Sequence, residues 1–201
     1  MRLSHQVLLA TTSKTIKHIS VFILSIILAR SLSTGDYGIY LQVQLIVSTL
    51  LYLAIFGVPH SIYFFLPRSS QPKRLIGVSA LVLNALGLAL ALLVFLNIDR
   101  IAALLNNPGL VPLVTIAALL LFFQVPIKLF EPAMIAAKRV GTFVALNATF
   151  NFLFIFPIAI PALLGWPVED ILASMLFFYV VQYGAVTLAL IVVTATLKGQ
   201  P

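Results

Sequence analysis

Charged positions are sparse along the chain, and what separates them is almost wholly apolar. Thirty-one uncharged residues lie between Asp36 and Arg68, 24 between Arg74 and Asp99, and 27 between Arg100 and Lys128. Another 29 separate Arg139 from Glu169, and 27 separate Asp170 from Lys198. A helix needs about 20 apolar residues to cross ~30 Å of hydrocarbon, so each run suffices for one crossing. Continuous runs of this length favour helices over a β-barrel, whose strands alternate over about 10 residues. The first run is shorter, because only 11 residues (19–29) lie between His18 and Arg30.

Turn chemistry divides these runs. Ser33-Thr34-Gly35, the stretch from Pro67 to Pro72, Asn106-Asn107-Pro108-Gly109 and Gly165-Trp166-Pro167 all read as breaks. The pattern predicts an all-α integral membrane protein, a bundle of six transmembrane helices near residues 13–32, 39–65, 75–97, 110–130, 141–164 and 171–197. Residues 98–107 are too short to span and read as an interfacial helix. Gly57-Val58-Pro59 is expected to kink the second span near one end, with His60 beside the kink.

Composition excludes the alternatives. Hydrophobic residues make up 62% of the 201, charged residues 8%, and the mean hydropathy is +1.15. A soluble domain carries roughly 25% charged residues to wet its surface, so a soluble enzyme or binding domain is ruled out. The net charge of +7 is no nucleic-acid signature, since no basic cluster sits among exposed aromatics. The absence of cysteine decides nothing about compartment.

The basic residues orient the six spans. With the N-terminus in the cytoplasm, the inner segments hold Arg2, Lys14, Lys17, Arg68, Lys73, Arg74, Lys128, Lys138, Arg139 and Lys198. Only Arg30 and Arg100 fall outside, with four of the five acids, Asp36, Asp99, Glu169 and Asp170. This positive-inside bias predicts a multi-pass protein of the cytoplasmic membrane with both termini inside. A rival reading takes the basic start, the apolar core to Leu28 and the small pair Ala29 and Ser31 as a cleavable signal peptide, leaving five spans.

Polar residues within spans mark where chemistry could lie, because charge in hydrocarbon costs about 2.5–3.5 kcal/mol on insertion scales. On span one, Lys14, Lys17, His18 and Ser25 share a stripe roughly 100° wide at helical spacing. Lys17 and His18 must either snorkel to the surface or face a wet cavity. Gln44, Ser48 and Tyr52 form a stripe on span two, Gln124 and Lys128 one on span four, and Asn147 and Asn151 one on span five. Span six offers Tyr179, Gln182 and Tyr183. Each set can serve helix–helix hydrogen bonding or the wet side of the bundle.

In the first external hairpin, Arg30 ends one helix and Asp36 precedes the next. Each suits its helix dipole, Asp36 can cap free N–H groups, and the two can pair. Gly35 and Gly38 are expected to allow tight backbone turns. The run Ala29-Arg30-Ser31-Leu32-Ser33-Thr34-Gly35-Asp36-Tyr37-Gly38-Ile39-Tyr40 resembles the first external hairpin of the polysaccharide and oligosaccharide flippases. These belong to the multidrug/oligosaccharidyl-lipid/polysaccharide exporter superfamily. Residues 132–141, Pro-Ala-Met-Ile-Ala-Ala-Lys-Arg-Val-Gly, are similar to the basic cytoplasmic link between that family's fourth and fifth spans.

The resemblance implies one N-terminal six-span lobe of a two-lobe carrier. It also implies alternating access, a lipid-linked oligosaccharide or polysaccharide precursor as cargo, and a second six-span lobe or subunit as partner. Cavity-lining basic residues would then meet the phosphates of the carrier lipid, which suits the stripe on span one. The alternative is a truncated or accessory membrane subunit with no transport activity of its own, or two copies enclosing one cavity.

Enzymatic readings find no support. The cytoplasmic side has one acid, Glu131, too few for a magnesium-dependent phosphotransferase. His5, His18 and His60 show no metal-ligand spacing, and no Gly-rich phosphate loop is present. Neither a catalytic residue, a metal nor a cofactor is expected, and the surroundings are membrane lipid rather than nucleic acid.

Overall fold

A computed structural model describes residues 3–55 and 57–197; in the first helix, side chains are described at Thr15 and from His18 onward. The side chains of Lys14 and Lys17 therefore lie outside the described residues, as does Lys198. The described chain is helical throughout, with no strand. It runs α1 (Leu3–Ser31), α2 (Thr34–Ala54), α3 (Val58–Phe65), α4 (Pro72–Leu104), α5 (Val114–Ile127), α6 (Phe130–Ala136), α7 (Val140–Leu153), α8 (Phe156–Leu163) and α9 (Val168–Thr196). Short 3₁₀ segments at Leu66–Arg68 and Pro108–Leu113 lead into α4 and α5.

Five helical stretches are long and apolar enough to cross a membrane: Thr34–Ala54, Pro72–Leu104, Pro108–Ala136, Val140–Leu163 and Val168–Thr196. The apolar part of α1, His18–Ser31, is a shorter sixth. The fold is an all-α multi-pass membrane bundle.

Several stretches expected to be continuous are broken, and proline and glycine explain where. The turn between α2 and α3 contains Gly57 at φ +85°, a left-handed conformation that favours glycine, and Pro59 follows at the start of α3. The expected kink is thus a full break. A turn at Lys128 and Leu129 parts α5 from α6 just after Pro126, and a turn at Phe154 and Ile155 parts α7 from α8 just before Pro157. The last part of α4, residues 98–104, is a short helix of its own, as expected: Asn97 leaves helical geometry (φ −118°, ψ 15°) and parts it by a kink from the long helix before it. The Asn97 side-chain amide donates 2.9 Å to the Leu93 carbonyl one turn back.

Two of the internal prolines create contacts between helices. Pro126 has no N–H to offer the Phe122 carbonyl one turn earlier. Against that oxygen α4 packs its Gly87: a Cβ built there would sit 3.0 Å from it and 3.4 Å from Val125 Cβ. Pro161 likewise leaves the Pro157 carbonyl without its helical donor, and the Ser174 hydroxyl of α9 donates to it instead. Between α4 and α9, the Tyr183 hydroxyl donates 2.9 Å to the Asn84 side-chain oxygen.

The Pro108–Ala136 stretch is the middle of the bundle, with half of its most apolar window buried against 17–28% in the other four stretches. Leu120, Leu121 and Val125 of α5 are wholly enclosed, and α5 packs against α2, α4 and α9. In contrast, α1 lies along α7 and α8 and scarcely touches α2. A gap therefore opens between these first two helices.

The α1–α2 hairpin differs from expectation in its details. Ser33 rather than Asp36 is the N-cap of α2: its hydroxyl oxygen accepts 3.1 Å from the Asp36 N–H and its hydroxyl donates 2.7 Å to the Asp36 carboxylate. Asp36 lies inside the first turn, engaged with Ser33, and among the described residues it makes no ion pair with Arg30. Gly35 and Gly38 are both helical and neither needs a positive φ, because the chain reverses before Thr34. Ser33→Ala is expected to lower stability by about 1 kcal/mol, the usual worth of such a cap, in a detergent-solubilised melt. A Gly35→Ala control is expected to change little, since its Cβ meets only Ser33 Oγ at 3.8 Å.

Candidate functional site: an amphipathic cavity

A cavity of about 560 Å³ lies in the gap between α1 and α2, within the size range of ligand sites, about 300–1,000 Å³. Helix α1 contributes His18, Ser20 and Ser25 to its wall. Helix α2 contributes Tyr40, Gln44, Ser48 and Tyr52, four residues at successive intervals of four and so on one face. The break between α5 and α6 presents Gln124, Lys128 and Glu131, and α7 presents Asn147 and Asn151. Phe178, Tyr179 and Gln182 complete it from α9.

The structure thus gathers His18, Ser25, Gln44, Ser48, Tyr52, Gln124, Lys128, Asn147 and Asn151, drawn from four helices and the turn after α5, around one space. Non-helical backbone at membrane depth is tolerated where it lines a cavity, and the turn at Lys128 and Leu129 does so here. Gln124 and Ser20 are buried, whereas Tyr52 is 77% exposed at the mouth. The Gln44 amide reaches across to Met175 Sδ on α9 at 3.1 Å. The hydroxyls of Ser25 and Ser48 donate to carbonyls of their own helices, Val21 at 2.9 Å and Leu45 at 3.3 Å, so toward the cavity they offer oxygen acceptors. Ser20, Lys128, Glu131, Asn147 and Asn151 all have partners within the protein.

One wall is aromatic. The Phe178 ring stands 6.3 Å from Phe150 and 5.5 Å from Phe154, both edge-on, and Tyr179 lies 5.7 Å from Phe154. With Phe143 these rings give the cavity an aromatic lining beside its polar residues. The space therefore suits a molecule with both a polar and an apolar part.

Other expected residues are placed elsewhere. Arg30, Gly35, Asp36 and Gly38 lie in the hairpin and do not line the cavity. His60 is exposed in the first turn of α3, stacked on Tyr63 with ring centres 6.3 Å apart. Tyr183 is turned toward α4, as its bond to Asn84 shows, and so is separated from Tyr179 and Gln182.

Among the lining residues that sequence reasoning did not propose are Ser20, Tyr40, Glu131 and the phenylalanines of the aromatic wall. Tyr40 was within reach, since it extends the α2 stripe by one more interval of four. The phenylalanines gave no such signal, because an apolar residue facing a cavity looks the same as one facing lipid.

These features define a multi-pass membrane protein with an amphipathic cavity inside its helical bundle. The family described as "Polysaccharide biosynthesis protein" matches residues 3–199, and the chain belongs to that family. Its membership points to a part in making or exporting polysaccharide precursors. No curated protein and no solved structure matches the chain.

Proposed function

We propose that the chain is one lobe of a carrier, rather than an enzyme, that moves lipid-linked oligosaccharide or polysaccharide precursors across the cytoplasmic membrane. The observation that carries this reading is the 560 Å³ cavity, lined by His18, Lys128 and several amides and hydroxyls together with a cluster of aromatic rings. A sugar-phosphate headgroup would meet the polar residues, and the rings would receive the first part of its lipid tail. The charge bias along the chain supports an orientation with both termini in the cytoplasm. A second six-helix lobe, in the same chain or another, would close the gap between α1 and α2. Rocking of the two lobes would then expose the cavity to either side in turn.

The test replaces the basic candidates in the intact carrier. Changing Lys14, Lys17 and His18 together to Ala, and Lys128 alone to Ala, is expected to slow translocation of the sugar-lipid at least about tenfold, since each lost charged hydrogen bond is worth ~1.5–3 kcal/mol. Translocation is followed by access of an added glycosidase to labelled precursor in vesicles. Undiminished rates in both variants, at equal protein levels, would remove the cavity from the transport path.

A further inference from the structure

At one end of the bundle lie the α3–α4 connection, the α6–α7 turn and the end of α9. The Arg139 guanidinium, which donates 2.9 Å to Thr196 Oγ1, joins the last two. The described residues of this end include Arg68, Lys73, Arg74, Lys138 and Arg139. None of the protein's five acids lies among its connecting segments: Asp36, Asp99, Glu169 and Asp170 belong to the other end, and Glu131 lines the cavity.

Within this basic end the α3–α4 connection and Leu197 enclose a second depression of about 290 Å³, walled by Ser70, Gln71, Pro72, Lys73 and Arg74. Its two basic side chains are exposed, and Arg74 is steadied by Gln71, whose side-chain oxygen accepts from it at 3.4 Å. Beside it Arg68 lies over the Phe64 ring at 4.0 Å and donates 3.0 Å to the Phe64 carbonyl. Among the described residues, Arg68 and Arg74 each make this one hydrogen bond, out of five N–H donors on a guanidinium. Phe64, under Arg68, and Phe65, edge-on to it with ring centres 5.2 Å apart, are both exposed. Cations beside exposed aromatic rings at the end of a membrane helix match the level of phospholipid headgroups and the first carbons of their chains.

We propose that this depression is a binding site for the headgroup of an anionic phospholipid, separate from the cavity and independent of what the cavity carries. Lys73 and Arg74 hold the phosphodiester, the Ser70 hydroxyl is placed to donate to it, and the α3 rings take the glycerol and upper acyl chain. Zwitterionic lipid, whose phosphate is offset by its own amine, binds more weakly.

The test uses the whole chain, purified in mild detergent, with native mass spectrometry reading the lipid retained from equal mixtures of phosphatidylglycerol and phosphatidylcholine. The expected result is about a thirtyfold preference for phosphatidylglycerol, the scale of two basic side chains at a charged membrane surface. The double variant K73Q/R74Q is expected to lose it. R100Q/K138Q, which removes the same charge from residues that do not line the depression, is expected to retain it. Helical circular dichroism and a single gel-filtration peak confirm that both variants are folded. Three results each overturn the proposal: no preference in the unaltered protein, a preference that survives K73Q/R74Q, or equal loss in both variants. Displacement of the lipid by millimolar inorganic phosphate would assign the site to a soluble phosphate instead.

Discussion

Gly87→Leu is expected to destabilise the bundle strongly. At Gly87 the α4 backbone lies against the Phe122 carbonyl, and even a methyl group there would stand 3.0 Å from that oxygen and 3.4 Å from Val125 Cβ. The obstacle is backbone, which cannot rotate aside as a side chain can. Inserting bulk into such a contact typically costs about 1–3 kcal/mol, and a leucine at this distance falls at the upper end. Gly87→Ala should cost less, because a shift of a few tenths of an ångström accommodates one carbon. Gly77 supplies the control: it lies on the same helix with nothing within 4 Å of its built Cβ, so Gly77→Leu should be nearly neutral. Melting of the solubilised protein, followed by fluorescence-detected gel filtration, should rank Gly77→Leu near the unaltered protein, then Gly87→Ala, then Gly87→Leu. If Gly77→Leu proves as damaging as Gly87→Leu, loss of glycine itself is responsible and close packing is not.

Ser48→Trp is expected to block transport while leaving the bundle stable. Ser48 is half-buried in the middle of the α2 stripe, and its hydroxyl bonds only the Leu45 carbonyl of its own helix. Its replacement by an indole projects bulk into the 560 Å³ space. Translocation should fall at least about tenfold, because occupied space must be cleared before any substrate is held in a productive position. Leu45→Trp makes the comparison on the same helix, since Leu45 is exposed, does not line the cavity, and exchanges one lipid-facing apolar group for another. Equal inhibition by the two tryptophans would show that α2 tolerates no bulk at all. Inhibition by neither would show that cargo does not pass this way.

Much of this arrangement was legible in the sequence because a bilayer leaves few options. Uncharged runs between Asp36, Arg68, Arg74 and Asp99 can only be crossings or buried helices, and polar residues inside them need a wet side or a partner. Gln44, Ser48 and Tyr52 shared one face by arithmetic alone, as did Asn147 and Asn151. Which faces met could not be read: Gln182 and Tyr183 are neighbours in sequence, yet one lines the cavity and the other bonds Asn84. Helix rotation is set by close contacts such as Gly87 against Phe122, and these leave no periodic trace. The hairpin was misjudged for a local reason. Ser33 and Asp36 both suit a helix start, and the sequence does not say which of them stands outside the first turn. The end of the third span at Asn97 was legible because Asn97, Asp99 and Arg100 together mark the edge of an apolar run, and the backbone does leave helical geometry there.

The prolines inside the helices have a further consequence. In an isolated helix Pro126 and Pro161 are defects, each depriving one carbonyl of its donor. In the bundle those two oxygens are where separate helices take hold of each other, Phe122 against Gly87 and Pro157 against Ser174. Alanine at either proline would make a straighter, individually better helix and draw the oxygen back into its own ladder. The neighbour would then lose its grip. In this protein, local imperfection in the helices is the adhesive of the assembly, and mending it would loosen the whole.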